Sequence, residues 1–253
     1  MAPRLQIGVS VDGSDPPSAL RALSVAAEAG GATNLWLACH LFSREPIASA
    51  AAVLAATRSL GTVLMAMSPY TVHPLYAAMA AATLDELFPG RVQLCFGVGA
   101  PAALEAAGVA AERPIETLRE AIGLARLLLS GEPVTFAGRR YRVSGRMAMG
   151  AHRVPLWLAA SGPRMLELAG TRLDQAALAD AFAHEDWQRV DALTTDDVIT
   201  RHCASGTPAA ASAMLNAYGE AGLDEIVVYG MHEPVQLEAV LAVVRPQGAL
   251  TGR

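Results

Sequence analysis

A short apolar run, an alanine-rich helical stretch and a second apolar run form a unit that recurs three times in the first part of the chain, at about 30-residue spacing. Leu5 to Val11 carries Leu5, Ile7, Val9 and Val11 among small neighbours, the pattern of a buried parallel strand. Pro16 and Pro17 open a helix with Leu20, Leu23 and Ala27 on its apolar side, and Gly30 and Gly31 stop it. Leu35 to Ala38 is the next strand, Ile47 to Thr57 a helix, and Gly61 to Ala66 a third strand. Pro74 to Leu87 is a helix halted by Pro89 and Gly90, and Val92 to Phe96 is a fourth strand. Such alternation predicts parallel strands joined by right-handed crossovers in an α/β fold.

After Gly99 the rhythm lengthens. Pro114 to Leu129 is a helix with Ile115, Leu118, Ile122, Ala125 and Leu129 on one stripe. Val134 to Val143, with Gly138 near its centre, reads as a small hairpin, and Pro155 to Ala159 as the next strand. Pro163 starts a helix at once, and Thr207-Pro208 has the form of an N-cap followed by proline at the first helical position. Ile226 to Tyr229 is a final strand and Pro234 to Val244 a final helix. No linker or charge block interrupts the chain, so residues 1–253 read as one domain. A doubly wound dinucleotide-binding sheet would alternate similarly, but it wants GxGxxG after the first strand, where Ser10-Val11-Asp12-Gly13-Ser14-Asp15 stands instead.

Composition removes whole classes of chemistry. All 19 basic residues are arginine. Schiff-base aldolases, PLP enzymes and P-loop kinases each need a lysine amine, so none of them is possible here. The net charge of -5 with no basic cluster argues against binding to a nucleic-acid backbone. Cys39, Cys95 and Cys203 are odd in number and form no CxxC, which fits a reduced cytoplasm without disulfides or a zinc ribbon. The stretch Ser59 to Leu84 has no charge, but Gly61, Ser68-Pro69 and His73-Pro74 break it into strand, turn and helix rather than a membrane span. The first residues lack the apolar core of a signal peptide. The histidines have no metal-ligand spacing, so no metal site is expected. No GxSxG elbow supports a serine hydrolase.

A set of phrases in fixed order carries a resemblance. They are Leu35-Trp36-Leu37-Ala38-Cys39-His40, Leu60-Gly61-Thr62, Ser68-Pro69-Tyr70-Thr71-Val72-His73-Pro74, Thr83 to Arg91, Gly97-Val98-Gly99 and Ser161 to Gly170. Together they resemble the luciferase-like monooxygenase superfamily, in particular its branch of F420-dependent, methylenetetrahydromethanopterin reductase-like oxidoreductases. The resemblance runs from about Leu5 to Asp174 and resumes near Gly206 to Tyr229. It implies a TIM-like (β/α)8 barrel with the site at the C-terminal ends of the strands. It also implies coenzyme F420, or alternatively FMN, as cofactor.

On that resemblance His40, at the mouth of the second strand, faces the reacting ring as proton donor or acceptor, a task suited to imidazole. Cys39 stands where relatives carry an acid. Alternating strand geometry forbids Cys39 and His40 from both facing the pocket. In F420-dependent relatives a bulge with a non-prolyl cis peptide lies beneath the ring, and Met65-Ala66 matches it. Gly97 and Gly99 are read either as a tight strand-to-loop turn or as a close approach to the cofactor. Ser161, Gly162 and Pro163, between a strand end and a helix start, form a place for the cofactor's phosphate, because free N–H groups and the helix dipole favour an anion there. His73 is read chiefly as a cap for the helix that Pro74 begins.

The chain departs from the family in the stretch between 179 and 198, where roughly 50 residues are wanting against the usual size of such barrels. A barrel shortened there, or missing a strand, is the expectation. Three functions follow. The first is an oxidoreductase that uses F420 to move a hydride to or from a small organic substrate. The second is an FMN-dependent monooxygenase. The third is a non-catalytic barrel relative, structural or flavin-binding. A cytoplasmic homodimer acting on a small molecule, without membrane or nucleic-acid partners, completes the expectation.

Overall fold

The computed structural model describes residues 5–159 and 224–244, together with Gln188, Ala213 and Leu215. The chain divides into two compact units, one made of Gln6–Ala159 with Glu225–Ala242 and the other of Met1–Leu5, Ala160–Asp224 and Val243–Arg253. The description below concerns the first.

Its strands are β1 (Gln6–Val11), β2 (Asn34–Ala38), β3 (Gly61–Met67), β4 (Val92–Phe96), β5 (Val134–Ala137), β6 (Arg142–Gly145), β7 (Leu156–Leu158) and β8 (Glu225–Tyr229). The helices are α1 (Pro17–Ala29), α2 (Pro46–Ala56), α3 (Pro74–Leu87), α4 (Pro101–Ala106), α5 (Pro114–Leu129) and, last in the chain, α6 (Pro234–Val244). Proline occupies the first turn of α1 to α5, where its missing N–H costs nothing and its fixed φ is already helical. The Glu45 carboxylate caps α2 by accepting the N–H groups of Ile47 and Ala48. His73 caps α3 in the same way, its Nδ1 accepting the N–H of Leu75 at 3.1 Å, so the sequence reading of His73 as a cap is correct.

Six strands form one sheet in the order β7-β4-β3-β2-β1-β8, and every neighbouring pair is parallel. A doubly wound sheet reverses its strand order partway along. Here β1 to β4 follow in sequence and then β7, while the last strand lies against the first. That is the order in which strands succeed one another round a barrel, so the α/β barrel expectation holds. The stretch between 179 and 198, where the barrel was expected to be shortened or to lack a strand, lies outside the described residues apart from Gln188, as does the helix expected from Pro163. The hairpin expected at Val134 to Val143 is present as the antiparallel pair β5-β6, two residues longer at its end.

One face of the sheet is covered and apolar but for the buried Thr62 of β3. Val9, Leu35 and Val92 lie in one row, with Val11, Leu37, Leu64 and Leu94 in the next; all are 4% exposed or less. The buried residues of the helices include Leu20 and Leu23 on α1, Val53 and Leu54 on α2, small alanines along α3, and Leu124 and Leu128 on α5. Burying each leucine-sized side chain is worth about 1.5–3 kcal/mol, which makes this layer the main source of stability.

The other face is polar at mid-strand. The Glu225 carboxylate accepts the side-chain N–H of Asn34 at 3.0 Å and the indole N–H of Trp36 at 3.2 Å. The Gln93 amide donates to Asn34 at 3.0 Å and accepts the Trp157 indole N–H at 2.7 Å. This belt ties β8, β2, β4 and β7 across the same face. It crosses β1 at Gly8, where a Cβ would sit 2.5 Å from the Glu225 carboxylate and 2.7 Å from the Trp36 indole nitrogen. Only glycine fits there.

Candidate active site

The candidate site is built where β1, β2, β3, β4 and β8 end. Beyond β1, Asp12 Oδ1 accepts both the N–H of Ser14 at 2.8 Å and its hydroxyl at 2.5 Å. The side-chain and backbone bonds from Ser14 hold the Asp12 carboxyl below its ordinary value, helped by the nearby imidazoles of His232 and His40 and opposed by burial. Arg44, on the loop after β2, donates from Nη1 to the carbonyls of Gly13 at 3.1 Å and Ser14 at 2.6 Å. The loops after β1 and β2 are thereby fastened together.

His40 stands two residues beyond β2 and is exposed. Cys39 beside it is turned away, its thiol 3.7 Å from the Leu37 carbonyl. Burial pushes that thiol up to about 12, and it pushes Cys95 on β4 up to about 11. Neither is a thiolate near neutral pH, which removes both as nucleophiles. Both residues lie past the end of β2, so strand alternation does not govern them; Cys39 is half-buried and His40 exposed.

The peptide bond Met65-Ala66 is cis, at the position expected. The register of β3 against β4 shifts between Leu64 and Met67, so a bulge lies there too. Around it the strands stay bonded: Cys39 N–H donates to the Met65 carbonyl at 2.6 Å and Gly97 N–H to the Met67 carbonyl at 3.3 Å. Gly97 permits this closeness. A Cβ there would stand 2.7 Å from that of Ala66 and 3.2 Å from that of Ala159. Gly99 has φ +96, a turn conformation that favours glycine. Both glycines thus have structural work in the strand-to-loop turn, whatever else they contact. Ser68 extends the same corner, its hydroxyl donating to the Val98 carbonyl at 2.6 Å.

One participant escaped the sequence reading. His232, three residues past β8, sets its Nδ1 3.1 Å from Asp15 Oδ2 and 3.2 Å from Oδ1. The carboxylate can only accept, so Nδ1–H donates and Nε2 is left to act. Asp12, Asp15, His40 and His232 thus stand at the ends of β1, β2 and β8, with both imidazoles near Asp12, at the same end of the sheet as Ala66 and Gly97. This rim can orient an organic ring and hold or move protons. Among the described residues, no group of three or more His, Cys, Asp or Glu side chains is arranged to hold a metal. Ser161, Gly162 and Pro163 lie outside the described residues. No described helix is long and apolar enough to cross a membrane.

A parallel sheet whose strands follow one another in barrel order, with polar side chains gathered at the strand ends, defines an α/β-barrel protein. Residues 3–184 match the sequence profile of the luciferase-like monooxygenase family, and the chain belongs to that family. It is 31% identical to 5,10-methylenetetrahydromethanopterin reductase of Methanolobus tindarius over 73% of this chain and 56% of that protein. It is 34% identical to F420-dependent glucose-6-phosphate dehydrogenase of Nakamurella multipartita over 62% of this chain and 51% of that protein. The chain thus spans about half the length of these relatives. The structure of coenzyme F420-dependent tetrahydromethanopterin reductase from Methanopyrus kandleri superposes with a TM-score of 0.78 at 17% identity, over 95% of this chain and 97% of the other. That likeness bears out the barrel fold.

Proposed function

We propose that the chain is an F420-dependent oxidoreductase acting on a small organic substrate. The observation that carries the reading is that His40 and the Asp15–His232 pair stand at the same end of the sheet as the Ala66–Gly97 corner, in a chain similar to an F420-dependent glucose-6-phosphate dehydrogenase. The residues present fit a flat, deazaflavin-like ring. Beside Met65, Ala66 and Gly97 offer a floor without bulky side chains, and the rim offers two imidazoles and two carboxylates. Ser161 and Gly162 would receive the cofactor's phosphate through their backbone N–H groups, while Pro163 has no N–H to offer. When bound, the deazaflavin supplies the hydride chemistry.

The protein's own contribution is orientation and proton handling. His40 is free to give or take a proton at the open end of β2. Asp15 fixes the tautomer of His232 and leaves its Nε2 to act as acceptor. Asp12, held as a carboxylate by Ser14, adds negative charge to the same rim. The reading takes residues 1–253 as one barrel domain and the protein as a homodimer in the cytoplasm.

Calorimetric titration with F420 and with FMN tests it. F420 binding in the micromolar range, with weaker or no FMN binding, supports the proposal. Preferential binding of FMN replaces it with the monooxygenase reading. Failure of both leaves a non-catalytic barrel relative.

A further inference from the structure

The hairpin β5–β6 forms a two-stranded sheet of its own, apart from the six parallel strands. Its turn is fastened to α5, where the Glu120 carboxylate accepts the N–H groups of Arg139, Arg140 and Tyr141 at 2.8, 3.0 and 3.3 Å. Gly138 lets the carboxylate come so close, since a Cβ there would stand 2.4 Å from Glu120 Oε2. The turn is therefore held in one place, and what it presents is held with it.

It presents two side chains to the loop between β3 and α3. Tyr141 is buried, and its hydroxyl donates to the carbonyl of the buried Pro69 at 2.6 Å. Arg140 supports that bond from outside, its Nε–H donating to the Tyr141 hydroxyl oxygen at 3.2 Å. The Arg140 guanidinium also lies over the Tyr70 ring, 4.6 Å from its centroid. His73, where the loop ends, sets its ring edge-on to Tyr141 at 5.0 Å between centroids. The Tyr70 hydroxyl reaches the other way and donates to the Glu112 carbonyl. Pro69, Tyr70 and His73 of one loop thus meet two consecutive residues of the hairpin.

That loop leaves β3 just after its bulge and continues the floor of the candidate site. The Met67 carbonyl accepts the N–H of Gly97 at 3.3 Å, and the Ser68 hydroxyl donates to the Val98 carbonyl at 2.6 Å. The N–H groups of Thr71 and Val72 donate to the Ser68 carbonyl at 3.1 and 2.9 Å. Without the Tyr141 hydroxyl the buried Pro69 carbonyl loses its partner, and the loop is pulled toward conformations that expose it to water. We infer that Arg140 and Tyr141 are positioning residues: through Tyr70 and Pro69 they hold the loop after β3, and with it the Ala66–Gly97 floor, in the shape that receives the cofactor ring. This rests on the reading of that floor as the ring's seat, so one arm of the test uses no cofactor.

Arg140→Ala, a change at an exposed position, is examined on the full chain by amide hydrogen exchange without cofactor. Exchange is expected to quicken about fivefold at Gly97, Thr71 and Val72, while the amides of Leu35 and Leu37 in β2 keep their rates. F420 affinity, read by calorimetry, should fall about fivefold in Arg140→Ala and about tenfold in Tyr141→Phe, which keeps the ring and removes only the hydroxyl. Arg140→Lys, which keeps a cation over Tyr70, should restore most of both effects. FMN replaces F420 as probe if the wild type prefers it. Unchanged exchange at the three amides overturns the proposal, because the hairpin then does not hold the loop. Quickened exchange with wild-type cofactor affinity in both variants overturns it too, because the loop then does not shape the site. A wild type that takes up neither cofactor sinks the cofactor reading itself and the positioning role with it, whereas binding by the wild type and by both variants alike sinks the positioning role alone.

Discussion

Asp15 and His232 are separated by 217 positions in sequence, yet the imidazole Nδ1 lies 3.1 Å from the carboxylate. The pair forms because β8 lies directly beside β1, so the loops leaving the two strands meet at one end of the sheet. Its expected effect is on turnover. Asp15→Asn keeps the size but lets the amide donate or accept, so the tautomer of His232 is no longer fixed. We expect kcat to fall about tenfold with F420 affinity changed less than twofold, and the pH profile to shift, as steady-state kinetics alongside calorimetry would read.

His40→Ala should give a sharper version of the same split. It removes a proton-transfer group at an exposed position and no packing. Turnover is expected to drop about 100-fold while cofactor binding stays near normal. Equal losses in binding and turnover would make His40 a contact residue instead.

Gly97 sets the floor of the site by what it lacks. In Gly97→Val the added atoms meet Ala66 and Ala159, where even a Cβ would be 2.7 and 3.2 Å away. Overpacking of this kind costs about 1–3 kcal/mol. A lowered urea midpoint accompanied by lost F420 binding is the expected result.

Much of this architecture could be read in the residues. Pro74, Pro114 and Pro234 mark helix starts, and the helices begin there because proline suits the first turn and little else in a helix. Helix α4 was not foreseen: Pro101 to Ala106 has one buried leucine, Leu104, too little for a periodic signal. Strand β3 runs on to Met67 rather than stopping at Ala66, because the chain resumes pairing with β4 after the bulge. His40 and the Met65-Ala66 corner were found through resemblance. The Asp15–His232 pair and the Glu225 belt were not, since each joins residues far apart in sequence and depends on which strands lie side by side.

Glu28 offers a test of stability rather than activity. From the last turn of α1 its carboxylate accepts the N–H groups of Arg58, Ser59 and Leu60 at 2.8, 2.6 and 3.0 Å, and the Ser59 hydroxyl at 2.9 Å. Burial pushes this carboxyl up, but the four bonds outweigh it and bring it down from 4.5 to about 2. A lowered folded-state value means the stabilisation is full above the unfolded value and is lost as pH falls through the folded one. The window is therefore from about pH 4.5 down to about pH 2. The group is half-buried at the surface, so solvent screening limits its contribution to about 1 kcal/mol. Glu28→Ala should lower the urea midpoint at pH 7 and show less loss than the wild type when both are taken to pH 2.

The central claim is that this chain holds F420 with its phosphate against Ser161 and Gly162. The most direct measurement is F420 titration of the wild type beside Gly162→Asp, whose carboxylate would crowd and repel the anion. Micromolar binding by the wild type and a loss of more than tenfold in the variant, or about 1.4 kcal/mol, is the expected result. Wild-type protein that ignores F420 up to millimolar concentration, or a variant that binds it as well as the wild type, would contradict the account.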